Sequence, residues 1–124
     1  KLDRDAMPAT MASLDILVVP SRTVEGVWKE QFGRVIVEAM ACRVAVLGSD
    51  SGEIPNVVAD SSCVFPEGDV HDLVKKLTHL IDDSTRLDHI KEQGLIKSMK
   101  EYTWRSIAKR QWSVYQKLLK DSSL

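Results

Sequence analysis

The chain has 124 residues with 17 basic against 18 acidic side chains, the size of one domain with no bias toward polyanions. A nucleic-acid reader would carry a basic stripe, and none is visible, so nucleic acid is not the expected partner. No apolar run approaches the ~20 residues of a membrane span.

In chain order, residues 5–13 predict a short amphipathic helix with Met7, Met11 and Ala12 on its apolar side and Pro8 in its first turn. Residues 14–19 form an apolar run interrupted only by Asp15. With Pro20 behind it, the run predicts a buried strand of a parallel sheet. Residues 21–31 are a long polar loop, and α/β folds bind ligands at the carboxyl ends of parallel strands. Trp28 in this loop is expected to pack over the end of the next helix rather than to act as a lid.

That helix begins near Gly33 and runs to Cys42, with Val35, Ile36, Ala39 and Met40 on one apolar face and Val37 broadening it. Strand, glycine-containing loop and helix start together leave backbone N–H groups free where an anion is favoured. Glu30 precedes this helix start and Glu38 lies about one and a half turns inside it. Carboxylates so placed suit the hydroxyls of a sugar nucleotide, although two acids at that spacing are by themselves compatible with solvated surface groups. Lys29 and Arg34 are the nearby cations, equally compatible with solvation.

Residues 44–47 predict a second strand, and Gly48-Ser49-Asp50-Ser51-Gly52 a loop of positive-φ conformations. A short helix over 54–59 starts beside Pro55, and residues 63–65 make a third strand. Asp69, after the turn Pro66-Glu67-Gly68, is expected to cap a helix, with Asp72 three residues on. Leu73, Val74, Leu77, Leu80 and Ile81, then Leu87, Ile90, Gly94 and Leu95, recur with helical period. Thr103 is a candidate cap for a last helix whose stripe of Trp104, Ile107, Ala108, Trp112, Tyr115, Leu118 and Leu119 reads as core. His71, His79 and His89 fall on charged helical segments and have no partner at metal-ligand spacing. Cys42 and Cys63 read as reduced core thiols of a cytosolic protein. Phosphate-loop, dinucleotide-binding and nucleophile-elbow motifs are absent.

Four segments, Glu30-Gln31-Phe32-Gly33, Glu38-Ala39-Met40-Ala41-Cys42, Gly48-Ser49-Asp50-Ser51-Gly52-Glu53-Ile54-Pro55 and Phe65-Pro66-Glu67-Gly68-Asp69, occur in that order. Together they resemble the C-terminal, donor-binding domain of retaining family 4 glycosyltransferases of GT-B fold, over residues 15–115. The resemblance implies a partial Rossmann-like α/β domain of three short parallel strands packed with helices and ending in helices. Residues 14–69 would form the donor-binding part and 70–119 the C-terminal helices. It also implies transfer of a sugar from a nucleoside diphosphate sugar with retention, with no cofactor beyond the donor. Glu30 would contact the donor sugar in the catalytic step and Glu38 the nucleotide ribose, while the backbone at Phe32, Gly33, Arg34 and Val35 approaches the sugar and diphosphate.

Three positions depart from the family pattern, one of them Ala45, where proline is common. Arg43 stands where glycine is usual, at the helix end away from the site, and Glu53 stands where a second glycine is usual, near the donor sugar. The basic residues that the family uses on the diphosphate, and the N-terminal lobe that binds the acceptor glycan or lipid-linked glycan, are not recognisable here. The chain opens at Lys1 without a methionine and reads as a piece of a longer protein, cytoplasmic or peripheral at the inner membrane face. The 124 residues alone are expected to be inactive, and to self-associate through the open edge of the 16–19 strand unless a longer chain covers it. Another GT-B enzyme, an epimerase or phosphorylase, and a non-catalytic interaction domain are the alternatives.

Overall fold

A computed structural model describes residues 5–121. Helix α1 (Met7–Ala12) leads into strand β1 (Ile16–Val19), followed by α2 (Arg34–Ala41), β2 (Ala45–Ser49) and α3 (Ile54–Val57). A 3-10 turn (Ser61–Cys63) precedes β3 (Val64–Phe65), and α4 (Val70–Asp82), α5 (Ser84–Glu101) and α6 (Trp104–Asp121) complete the chain. The three strands form one parallel sheet in the order β1-β2-β3, with Ile16 opposite Ala45 and Gly48 opposite Val64. This is the Rossmann-like α/β arrangement expected of a GT-B domain.

The central strand carries the burial. Every residue of β2 is buried, whereas three of the four in β1 are only partly so, as befits the outer position. β1 starts later than its apolar run, because Leu14 and Asp15 are exposed, and the Asp15 carboxylate instead meets Lys91 of α5 at 2.7 Å. β2 extends past Leu47 and takes in Gly48, which is therefore strand and not positive-φ loop. A Cβ there would stand 2.3 Å from the Ile54 side chain, so glycine is what lets α3 lie against the sheet. α3 is shorter than its pattern because Val58 turns extended, at φ −57° and ψ 143°.

α2 buries Ile36, Ala39 and Met40 between the sheet and α5, while Val35 is exposed, contrary to the four-residue face read from its spacing. At the crossing with α5, a Cβ on Gly94 would lie 3.0 Å from Met40 Cγ, so the glycine permits close helix packing. Arg43 takes the left-handed conformation at φ 60°, as its glycine-like position requires, at a cost of about 1 kcal/mol. Asp69 caps α4 through its carboxylate on the Asp72 amide at 2.9 Å, and the Thr103 hydroxyl accepts from the Ser106 amide at the start of α6. In α1 only Met11 is buried, and in α4 Val74 and Ile81 are exposed. The largest departure is α6, none of whose residues is buried: its aromatic stripe is not core.

Candidate functional site

The carboxyl ends of the strands are laced together by short polar side chains. The Ser49 hydroxyl donates to the Ser21 carbonyl at 2.7 Å, and the Thr23 and Ser51 hydroxyls pair at 2.9 Å. The Glu67 carboxylate accepts from the Thr23 amide, and the Glu67 amide donates to Asp50 Oδ1 at 2.7 Å. Ser49 and Ser51 are both buried, so these bonds satisfy groups that would otherwise be costly to desolvate. None of this lacing was read from the sequence, although Ser21 and Thr23 after β1 and Ser49 and Ser51 at the end of β2 were its available signal.

On this base the loop after β1 folds into a small hairpin. Val24 and Trp28 exchange both backbone hydrogen bonds, at 2.8 and 2.9 Å, around Gly26 at φ 70°. Trp28 ends this hairpin rather than lying in an open loop. It is half exposed and lines a cleft of about 630 Å³ that also contains Glu25, Lys29, Glu30, Gly52 and Glu53.

Glu30 is the pivot of that cleft. Its Oε1 accepts from the Gly33 amide at 2.9 Å and, at a long 3.4 Å, from the Phe32 amide; its Oε2 has no partner among the described residues. Gly33 holds φ 69°, and a Cβ there would meet the Ile36 side chain at 2.7 Å, so both backbone and packing call for glycine. The Arg34 and Val35 amides in the first turn of α2 have no hydrogen-bond partner among the described residues. Gly52, at φ 59°, lies so close to Glu30 that a Cβ would stand 1.9 Å from its carbonyl oxygen, which accepts from the Glu53 amide at 3.2 Å. The second glycine-containing loop is thus pressed against the glutamate of the first.

Glu38 faces elsewhere. With Arg34 and Val37 it lines a neighbouring hollow of about 400 Å³ whose far side is Tyr102, Trp104 and Ile107. Phe32 lines the same hollow as Glu38, its ring edge-on to Tyr102 with centroids 5.5 Å apart. Burial first, and then the Glu101 carboxylate, raise the Tyr102 phenol above its ordinary range. The structure therefore places Glu30 on one cleft and Phe32, Arg34 and Glu38 on its neighbour, with Gly33 joined to Glu30 through its amide. Val35 contributes a backbone amide, with its side chain lining neither. Among the described residues, no group of three or more His, Cys, Asp or Glu side chains could hold a metal ion, and no helix is long and apolar enough to cross a membrane.

Comparison with known proteins bears on the same segments. The family described as glycosyl transferases group 1 matches residues 1–97. The GDP-mannose-dependent monoacylated alpha-(1-6)-phosphatidylinositol monomannoside mannosyltransferase of Corynebacterium glutamicum is 32% identical over 118 residues, covering 94% of this chain and 31% of that protein. The MMP alpha-(1->4)-mannosyltransferase of Mycolicibacterium hassiacum is 28% identical over 121 residues, covering 95% of this chain and 28% of that protein. Among solved structures, a sucrose-phosphate synthase from Thermosynechococcus elongatus superposes with a TM-score of 0.78 at 23% identity, over 98% of this chain and 29% of that one. The chain thus spans under a third of the length of each of these proteins.

Proposed function

Because the chain belongs to the glycosyl transferases group 1 family, we propose that it binds the nucleoside diphosphate sugar donor of a retaining glycosyltransferase. The observation that carries this reading is the pairing of a carboxylate with open amides at one helix start. Gly33 N–H holds Glu30 Oε1, which leaves Oε2 for a sugar hydroxyl, while the Arg34 and Val35 amides are open to a diphosphate. Glu38, on the next hollow, is assigned to the ribose.

Transfer requires negative charge to be met on the departing diphosphate and positive charge on the sugar-like transition state. Preorganised N–H groups serve the first requirement without reorganising during the reaction, with Lys29 and Arg34 adding positive charge. Glu30 serves the second. The reading asks for no cofactor beyond the donor. A glycan or lipid-linked glycan acceptor would be bound by another lobe of a longer protein, on the cytoplasmic side, where the two free thiols stay reduced.

The test is substitution in the full-length protein. Glu38→Gln should weaken donor binding by about tenfold or more, the loss of a charged hydrogen bond. Glu30→Gln should lower turnover more than binding, because the charge it answers appears only in the transition state. Unchanged donor affinity in the first variant, or equal effects on turnover and binding in the second, would overturn the corresponding role. Proton NMR of the product's anomeric centre tests retention. The 124 residues by themselves should transfer no sugar, and light scattering should show them associating through the β1 edge. A stable monomer with slowly exchanging amides in β1 would refute that association.

A further inference from the structure

We propose that Trp28 and Glu53 select the sugar of the donor, an inference that rests on the nucleotide-sugar reading of the cleft. Trp28 is two residues from Glu30 and both line the same cleft, which Glu53 also lines from the second loop. The indole is half exposed at the cleft wall, where a ligand can reach it, and it is held in register by a two-bond bridge to Val24. The bridge fixes the backbone that bears the ring and leaves the ring at the cleft wall. A pyranose has the complementary form: a flat face of C–H groups for the indole and a rim of hydroxyl donors for carboxylates.

Glu53 completes the rim. Its amide is bonded to the Glu30 carbonyl, so the two glutamates are fixed to each other through the backbone. Its Oε2 accepts from the Asn56 amide group at 2.9 Å, which orients the carboxylate and leaves Oε1 without a partner among the described residues. With Glu25 and Glu30 it gives the cleft three carboxylates against the single cation Lys29. That balance favours a sugar presenting hydroxyl or ammonium groups and repels one that carries a carboxylate of its own.

The experiment measures binding of UDP, GDP, UDP-glucose, GDP-mannose and UDP-glucuronic acid to the full-length protein by calorimetry. Trp28→Ala should weaken the bound neutral sugar nucleotide about tenfold while leaving its sugar-free diphosphate unchanged, and Trp28→Phe should restore most of the loss. Glu53→Gln should narrow the preference for UDP-glucose over UDP-glucuronic acid, again with UDP itself unaffected. If Trp28→Ala weakens diphosphate and sugar nucleotide equally, or neither, the stacking role is wrong while the donor reading stands. If the wild type does not distinguish UDP-glucose from UDP-glucuronic acid, the charge selection is wrong. If the wild type binds none of the five probes, the donor reading fails and this inference with it.

Discussion

Helices α2 and α6 carry apolar stripes of the same kind and meet opposite fates. In α2 the stripe of Ile36, Ala39 and Met40 is closed between the sheet and α5, with Gly94 allowing the two helices to approach. In α6 the residues Trp104, Tyr115 and Trp112 fall within one arc, and the cations Lys109, Arg110, Lys117 and Lys120 lie on the other side. Yet Trp104 is 87% exposed and Trp112 60%. Helical period reports that a face is apolar. It does not report what covers that face, which depends on the sheet and neighbouring helices being in place.

The contrast should break first at Ile36. Fully buried on α2, Ile36→Ala is expected to destabilise the chain by about 3 kcal/mol through lost transfer energy and a residual cavity. Urea midpoints read this directly, and a loss below about 1 kcal/mol would mean that α2 is not the anchored helix described.

The next effect sharpens the comparison at the loops that fix the start of α2. Gly52 and Gly26 both hold positive φ, at 59° and 70°, but a Cβ on Gly52 would strike the Glu30 carbonyl while one on Gly26 would meet nothing within 4 Å. Gly26→Ala should therefore cost about 1 kcal/mol, the left-handed backbone alone. Gly52→Ala should cost at least about 2 kcal/mol, with Glu30 displaced, so donor binding should fall as well. Equal costs at the two glycines would remove the argument that the second loop positions Glu30.

How much of this was legible from the sequence follows the same division. The three strands and the caps at Asp69 and Thr103 could be read because each depends on neighbours in sequence, whereas the left-handed Arg43 follows from its standing where the resembled family has glycine. Gly48 was misread because its reason is Ile54 packing onto the strand, a contact across the fold. The position of Trp28 follows from a backbone bridge to Val24, which alternation and composition do not announce. The Thr23–Ser51 and Thr23–Glu67 contacts join separate loops and have no local pattern at all. In the site, the position of Glu30 before a glycine-led helix was legible, whereas its bond to Gly33 N–H and the separation of Glu38 into a second hollow required the fold.

A smaller effect should appear where the sheet ends. The Ser62 hydrogen bond holds the Asp60 carboxyl below its ordinary value of 3.8, outweighing the opposing effect of burial. A carboxyl lowered in the folded state stabilises it fully above the unfolded value, and that contribution is lost as pH falls through the lower, folded value. Asp60→Ala should thus cost about 1 kcal/mol at pH 7, as the loss of a cap on the 3-10 turn. The gap to wild type should narrow on acidification below pH 3.8. A gap that is constant with pH would show that the charge on Asp60 does not contribute.

The smallest expected effect is on α6. Trp112→Ala removes the largest side chain type available, yet at 60% exposure the ring gains only limited burial on folding. Alanine is also the better helix former, which offsets part of what remains. The stability of the 124 residues should change by no more than about 0.5 kcal/mol, in the range of ordinary surface substitutions. Measured beside Ile36→Ala, the two variants compare similar apolar stripes with and without cover. A loss near 2 kcal/mol at Trp112 would show that this face is covered in solution, and the dependence of that loss on protein concentration would tell whether a second copy provides the cover.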